Sequence, residues 1–164
     1  MSEKLQLDLK APYVWLATWF GFGLLKPAPG TWGSLGSLPF GLLIFKFSGL
    51  IGLLAAIVLV SLVGYWAADR FEKNTGIHDC KMVVIDEVAG QWIALLPVFY
   101  FWGLNGLGVL SAFLLFRVFD ILKPWPVSYF DKKIDNAIGV MGDDIVAGLY
   151  GALIITGVFY AGFG

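Results

Sequence analysis

The stretch that decides the fold is VAGQWIALLPVFYFWGLNGLGVLSAFLLF, residues 88–116, in which no residue carries a charge. It is longer than the roughly 20 apolar residues that one helix needs to cross a bilayer. Near its middle, Asn105 follows Gly103-Leu104 and precedes Gly106, and an asparagine flanked by glycines favours a turn. We therefore predict two membrane helices, over about 88–102 and 107–122, joined as a hairpin.

Three further stretches without charge surround this hairpin: residues 27–45, 47–68 and 145–164. Hydrophobic residues make up 59% of the 164 residues and charged residues only 14%, whereas soluble domains usually carry about 25% charge. The formal net charge of -1 leaves no basic excess for nucleic acid, which we exclude as a partner. We predict one domain, 1–164, with an all-α fold: a polytopic membrane bundle of about four spanning helices.

The first apolar stretch contains several prolines, so its helix is predicted to be short. Pro27, Pro29 and Pro39 leave about residues 34–45 for a helix. At about 1.5 Å per residue, such a helix is too short to cross a bilayer. We predict a short or re-entrant N-terminal helix that enters the membrane, followed by a full helix over about 50–68 that returns.

This topology collects the positive charges at one face of the bundle, and only Lys46 clearly lies at the other. The basic residues of the shared face are Lys4, Lys10, Lys26, Arg70, Lys73, Lys81, Lys123, Lys132 and Lys133. The positive-inside rule makes this face cytoplasmic. Every acidic residue of the chain lies on or near the same face.

A Gly-rich loop precedes the first helix and is a candidate phosphate site. Residues 26–35 read KPAPGTWGSL and combine one cation, two hydroxyl side chains and two glycines. Such a loop can present backbone N–H groups and a helix N-terminus to an anion. A Pro-Gly turn in which Thr31 or Ser34 simply caps the helix is the alternative. The candidate phosphate ligands of this loop are Lys26, Gly30, Thr31 and Ser34.

Pairs of acidic residues stand at two predicted helix starts. Asp86 and Glu87 precede the hairpin, and Asp143 and Asp144 precede the last apolar stretch. Adjacent helical positions point about 100° apart, so only one acid of each pair can cap its helix. Because ionisable groups at membrane depth are costly, we predict that the two pairs share a hard cation. Oxygen ligands from separate helices suit Mg²⁺, which keeps several waters and bridges to phosphate.

The end of the hairpin supplies the remaining candidates. Arg117, Asp120 and Lys123 follow one another at three-residue spacing and share one helix face, and Pro124 ends the helix. We prefer to interpret this stripe as an anion site beside a metal ligand. An ion pair between Arg117 and Asp120 within the helix is the simpler alternative.

Together, these clusters resemble the motifs of the bacterial phosphatidylglycerophosphatase A family. Each segment alone is a weak signal, but with similar hydrophobic spacing they cover nearly the whole chain. One difference is Asn136-Ala137, where relatives are expected to carry a glycine pair. The matching segments are 26–35 (KPAPGTWGSL), His78-Asp79 with 84–90 (VIDEVAG), 116–126 (FRVFDILKPWP), Asp131, and 139–148 (GVMGDDIVAG).

The resemblance implies a Mg²⁺-dependent phosphomonoesterase of the bacterial inner membrane that converts phosphatidylglycerophosphate to phosphatidylglycerol and inorganic phosphate in phospholipid biosynthesis. The active site would face the cytoplasm and take its phospholipid substrate from the bilayer. We expect the metal ligands and the catalytic base to come from Asp86, Glu87, Asp120, Asp143 and Asp144, with Asp131 a weaker candidate. We expect the phosphate oxygens to be held by Lys26, Gly30, Thr31, Ser34, Arg117 and Lys123.

A small cation or proton transporter is the alternative from another functional class, because acids near membrane helices also mark ion pathways. Residues 88–101 and 145–163, however, contain no ionisable group near the midplane, where a transporter places its site. Other phosphatase chemistries are disfavoured by the residues present. Cys80 is not followed by an arginine at the right distance, and a phosphohistidine route would normally use two histidines, whereas His78 is alone.

Overall fold

The apolar stretches form helices, and no β-strand occurs among residues 7–163, the part of the chain that the computed structural model describes. Lys4 and Gly164, which the predicted topology included, lie outside these residues. The all-α class is confirmed. The helices are α1 (Pro12–Ala17), α2 (Pro29–Thr75), α3 (Ile85–Trp102), α4 (Gly106–Leu122), α5 (Val127–Lys133) and α6 (Ala137–Val158), with a 3₁₀ turn at Phe22–Leu24 and a π-helical turn at Phe159–Phe163.

The predicted hairpin is present as α3 and α4, with bounds within three residues of the prediction. The turn ends α3 at Gly103, whose φ of +63° suits glycine. Asn105 then caps α4, because its side-chain oxygen accepts a hydrogen bond from the N–H of Gly108 at 2.8 Å. Local turn chemistry therefore defines both helix ends.

Helix α2 reverses direction at Gly49, which has φ +64° and ψ -164°. A Cβ placed on Gly33 would lie 2.6 Å from the Cβ of Val84, and one placed on Gly64 would lie 3.3 Å from Cγ2 of Ile85. Both glycines thus contact the start of α3, although a straight helix would hold them roughly 45 Å apart. The first arm, residues 29–48, runs parallel to α3, and the second arm, residues 50–75, returns beside it.

The prediction of a short helix over residues 34–45 is wrong, because the first arm begins at Pro29 and continues through Pro39. Pro29 lies in the first turn, where its missing N–H has no helical partner to lose. At about 1.5 Å per residue, residues 29–48 span about 30 Å, which is the thickness of a bilayer's hydrocarbon core. The predicted entry and return of the chain agree with the two arms.

The outer surface of the bundle is unusually apolar. Of the most apolar 18 residues, only 11% are buried in α2 and only 22% in the segment Ala137–Gly162. These two elements are long and apolar enough to cross a membrane, and the four spans that the sequence predicts stay a prediction. Phe47, Ile51 and Leu107 are each more than three-quarters exposed. Apolar surface of this extent favours contact with lipid.

Helix α3 lies at the centre of the bundle and packs against α2, α4 and α6. Its closest neighbour is α6, because a Cβ on Gly90 would lie 2.4 Å from the carbonyl oxygen of Asp144, and one on Gly148 would lie 2.3 Å from that of Gly90. The two backbones therefore touch. Gly90 follows Asp86 by one helical turn and Gly148 follows Asp144 by one turn, so this contact places the two acid pairs side by side.

One detail of the predicted site is corrected by the start of α6. Asp143 and Asp144 do not open this helix, which begins at Ala137. Asn136 caps it, since its side-chain oxygen accepts the N–H of Ile138 at 2.8 Å. Neither Asp143 nor Asp144 is therefore used as a cap, and both lie in the second turn with their side chains buried.

The glycine contact generates a stability prediction. Gly148→Ala should lower the free energy of unfolding by about 1–3 kcal/mol, because the added methyl group forces α6 away from α3. The measurement is the thermal midpoint of the purified protein in detergent. Gly157→Ala is the matched control on the same helix, since a Cβ there meets nothing within 4 Å. Equal midpoints for the two variants would contradict the close contact.

Candidate active site

A polar cavity of about 450 Å³ opens where the starts of α2 and α3, the end of α4 and the acids of α6 meet. All five predicted metal-binding and catalytic acids line it, so the structure brings together residues from three helices. The carboxylates of the wall outnumber its basic side chains, so the cavity favours binding of a cation. The charged residues of its wall are Asp79, Asp86, Glu87, Asp120, Asp143, Asp144, Lys81, Arg117 and Lys123.

Three of these acids form a compact carboxylate group. Asp86, Glu87 and Asp144 each offer one oxygen, and the three oxygens lie within 4.8 Å of one another. Asp86 and Asp144 are buried, and Oε2 of Glu87 and Oδ1 of Asp144 have no hydrogen-bond partner among the described residues. Like charges this close repel unless a cation or a proton lies between them. The oxygen donors therefore fit a hard divalent cation, and the predicted Mg²⁺ stays a prediction.

Arg117 and Asp120 form an ion pair at the cavity wall, with 2.7 Å between Nη1 and Oδ2. The simpler alternative from the sequence, an ion pair within the helix, is therefore what the structure contains. Arg117 also donates from Nη1 to Oγ of Ser34 at 3.3 Å, which links α4 to α2. Ser34 itself is fully buried beneath the cavity, and its hydroxyl donates to the carbonyl of Gly30 at 2.8 Å.

Lys123 leaves the helix face that Arg117 and Asp120 share. It lies just past α4 in the left-handed region, with φ +45°, and its ammonium group binds two carboxylates, those of Asp131 on α5 and Asp143 on α6. The distance to Oδ2 of Asp143 is 2.7 Å. Burial alone would lower the pKa of Lys123, but the hydrogen bonds and charges of these two acids outweigh it and raise the pKa. Lys123 is therefore a permanent cation that joins α5 to α6.

The residues of the Gly-rich loop do not all reach the cavity. Gly30 and Thr31 line the cavity in the first turn of α2, whereas Lys26 is exposed and does not belong to the lining among the described residues. A Cβ on Gly30 would lie 2.2 Å from Oε1 of Glu87 and 3.3 Å from Nη1 of Arg117. A glycine at this position lets the carboxylate and the guanidinium approach the helix start.

No functional role was predicted from the sequence for three polar residues that the structure places at the cavity or one helical turn below it. Asp79 and Lys81, in the loop before α3, line the cavity. Gln91 is completely buried one turn below Glu87. The sequence did contain a signal for Gln91: it is a polar residue within an apolar run, four residues after a predicted metal ligand.

The neighbouring His78 and Cys80 do not join the carboxylates. His78 pairs through Nδ1 with Glu72 at 3.2 Å, and it is not part of the described cavity lining. Burial raises the pKa of the Cys80 thiol, and although a backbone hydrogen bond at Met82 opposes this, the charge of Asp79 raises it further. The thiol stays protonated at neutral pH, which disfavours a cysteine nucleophile.

Comparisons with known proteins find one family model and several relatives that cover most of the chain. Residues 15–159 match the model of the family described as "PgpA: Phosphatidylglycerophosphatase A". The chain is 37% identical to a phosphatidylglycerophosphatase A of Haemophilus influenzae over 94% of this chain and 93% of that protein. It is 35% identical to the Escherichia coli protein of the same name, over 93% of this chain and 86% of that protein.

A third relative bears a different name. A Bacteroides thetaiotaomicron protein, provisionally named a phosphatidylinositol-3-phosphatase, is 40% identical over 87% of this chain and 91% of that protein. No solved structure matches the chain. All three relatives are thus named as phosphatases of phospholipids.

The two ion pairs of Lys123 predict a specific loss of stability. Lys123→Met should lower the free energy of unfolding by about 1–3 kcal/mol, because two charged hydrogen bonds disappear and Asp143 stays among other acids. Since the folded pKa of Lys123 is raised, the paired cation stabilises the fold at every pH below its ordinary pKa. The loss should therefore persist at pH 9, as measured by thermal unfolding.

Lys73→Met is the control, since Lys73 also pairs with an aspartate at 2.8 Å but its side chain is 67% exposed. Its loss should stay under about 1 kcal/mol. Equal effects of the two variants, or a loss for Lys123→Met that disappears at pH 9, would contradict the role given to Lys123.

Proposed function

The chain belongs to the phosphatidylglycerophosphatase A family, and from this premise we propose that it hydrolyses phosphatidylglycerophosphate to phosphatidylglycerol and inorganic phosphate. The observation that carries the proposal is the cavity in which the carboxylates of Asp86, Glu87 and Asp144 face Arg117 across the start of α2. Metal-assisted hydrolysis of a phosphate monoester uses both elements: oxygen ligands that hold a cation, and a positive side chain that binds the phosphate oxygens.

We assign the cation to the three carboxylates that have no other charged partner. Arg117 already binds Asp120, and Lys123 already binds Asp143, whereas no ion pair involves Asp86, Glu87 or Asp144 among the described residues. A bound Mg²⁺ would neutralise phosphate charge and lower the pKa of water. One carboxylate of this trio would also be placed to take the proton from the attacking water, as the bond between phosphorus and the lipid oxygen breaks.

The start of α2 and Arg117 are assigned to the phosphate. Trp32 donates the first hydrogen bond of the helix, to the carbonyl of Ala28, so the N–H groups of Gly30 and Thr31 have no helical acceptor. Such groups, at the positive end of the helix dipole, favour an anion. Arg117 adds its guanidinium beside them, which suits the charge spread over the equatorial oxygens in the transition state.

We further propose that both arms of α2, with α3, α4 and α6, cross the bacterial inner membrane and that the cavity opens to the cytoplasm. The apolar outer surface supports this placement, and so does the cavity's position beside exposed apolar side chains. Ile121 lines the cavity and is 68% exposed, so a lipid headgroup can enter while its acyl chains stay among apolar neighbours. The transporter alternative gains no support from the named relatives.

The decisive activity test is phosphate release from phosphatidylglycerophosphate by the purified protein in detergent. Release should require Mg²⁺ and stop with a chelator. Asp86→Asn and Asp144→Asn should each lower the rate by on the order of 100-fold or more, because each removes a charge that acts on the transition state. Their thermal midpoints should not fall, since both carboxylates are buried beside like charges.

Asp69→Asn is the matched control, because Asp69 is paired with Lys73 and is not among the described residues that line the cavity. It should leave the rate unchanged. Full activity in both cavity variants would contradict the carboxylate mechanism, and ion flux in liposomes without phosphate release would favour the transporter instead.

The membrane placement has its own test by cysteine labelling of intact cells in a Cys80→Ser background. Leu104→Cys lies in the α3–α4 turn and should react from outside with a maleimide that cannot cross membranes. Lys132→Cys lies on α5, at the cavity end, and should react only after the membrane is opened. The same accessibility for both cysteines would contradict a spanning α3, and the reverse pattern would place the cavity outside the cytoplasm.

A further inference from the structure

Gln91 is a buried polar residue that the proposed mechanism leaves unused. It is fully buried, and neither Nε2 nor Oε1 of its amide has a hydrogen-bond partner among residues 7–163. It is also the one amide or charged side chain between residues 88 and 102. Burying an amide without a partner is unfavourable in any interior, and more so between helices surrounded by lipid. An amide buried at this cost calls for a functional explanation.

Gln91 lies directly beneath the carboxylate group. It follows Glu87 by four residues on α3, so the two side chains share one helix face. The first arm of α2 runs parallel to α3, and Gly30 of that arm contacts Glu87. Gln91 lies one helical turn beyond Glu87, and Ser34 lies one turn beyond Gly30 on the parallel first arm, so Gln91 and Ser34 are at the same level of the bundle. The hydroxyl of Ser34 accepts a hydrogen bond from Arg117. Gln91 thus lies at the depth where α2 and α4 are joined.

The unpartnered atoms near Gln91 are complementary to its amide. Oε2 of Glu87 is a buried acceptor without a donor, and Nε of Arg117 is a buried donor without an acceptor, among the described residues. Both side chains reach the same point, because a Cβ on Gly30 would lie within 3.3 Å of each. An amide carries one donor group and one acceptor, which is the set that these two atoms lack.

We propose that Gln91 is a positioning residue of the phosphatase site. Its Nε2–H donates to Oε2 of Glu87, and its Oε1 accepts from Nε–H of Arg117, when the cation and the phosphate are bound. The amide thereby ties the carboxylate that holds the cation to the guanidinium that holds the phosphate. This inference rests on the proposed function of the same cavity.

The test is Gln91→Met, which keeps the volume of the side chain and removes its polar atoms. We expect kcat/KM for phosphatidylglycerophosphate to fall about 10–100-fold, as for other groups that orient metal ligands. The Mg²⁺ concentration at half-maximal rate should rise, because Glu87 loses its orientation. The thermal midpoint should stay unchanged or increase, because an unpaired buried amide is gone. Steady-state kinetics across Mg²⁺ concentrations and a thermal scan measure all three.

Leu95→Met is the matched control, one turn further along the same face of α3 and equally buried. It should leave the rate and the Mg²⁺ dependence as in the wild type. Wild-type kinetics in Gln91→Met would overturn the inference alone. A loss of activity that follows a lowered midpoint would also overturn it, by showing a structural role. Absence of phosphate release from the wild-type protein would overturn the proposed function, and this inference with it.

Discussion

The backbone contact between α3 and α6 is the constraint on which the site depends. Gly90 and Gly148 allow two main chains to touch, and any larger residue at either position would meet a carbonyl group. Because each glycine follows an acidic residue by one turn, the contact converts two separate acid pairs into one group. Carboxylates do not gather in this way by their own preference, since they repel. Packing of small residues provides the closeness that charge alone opposes.

The remaining charges of the cavity are arranged so that this group keeps its negative character. Arg117 neutralises Asp120 and Lys123 neutralises Asp143, so the two cations do not bind the trio of Asp86, Glu87 and Asp144. The ion pairs also connect elements: Lys123 joins α5 to α6, and Arg117 reaches Ser34 on α2. The same side chains therefore hold the wall of the cavity together and leave its centre free for a cation.

The parts of this structure that could be predicted are those decided by nearby residues. The α3–α4 hairpin follows from a turn of glycine and asparagine, and the acids meet because each precedes or begins an apolar run at the same face. The continuous helix through Pro39 depends on packing with distant residues, which a single sequence does not display. The start of α6 at Ala137 has a local signal, the cap residue Asn136, which the sequence prediction did not use. Lys123 was expected on the same helix face as Arg117. Its own backbone is in the left-handed region at the end of α4, and its side chain therefore binds acids of α5 and α6.

In the membrane placement that we propose, the reversal of α2 at Gly49 also bears on how the chain enters a bilayer. With a single residue as the connection, the two arms can insert together as a helical hairpin, and no polar loop has to be carried through the hydrocarbon. The α3–α4 connection is nearly as short. Lys46 is the one charge near the reversal, and its ammonium lies 5.7 Å from the ring centre of Phe47. In that placement, insertion requires little more than the transfer of Lys46 across the membrane.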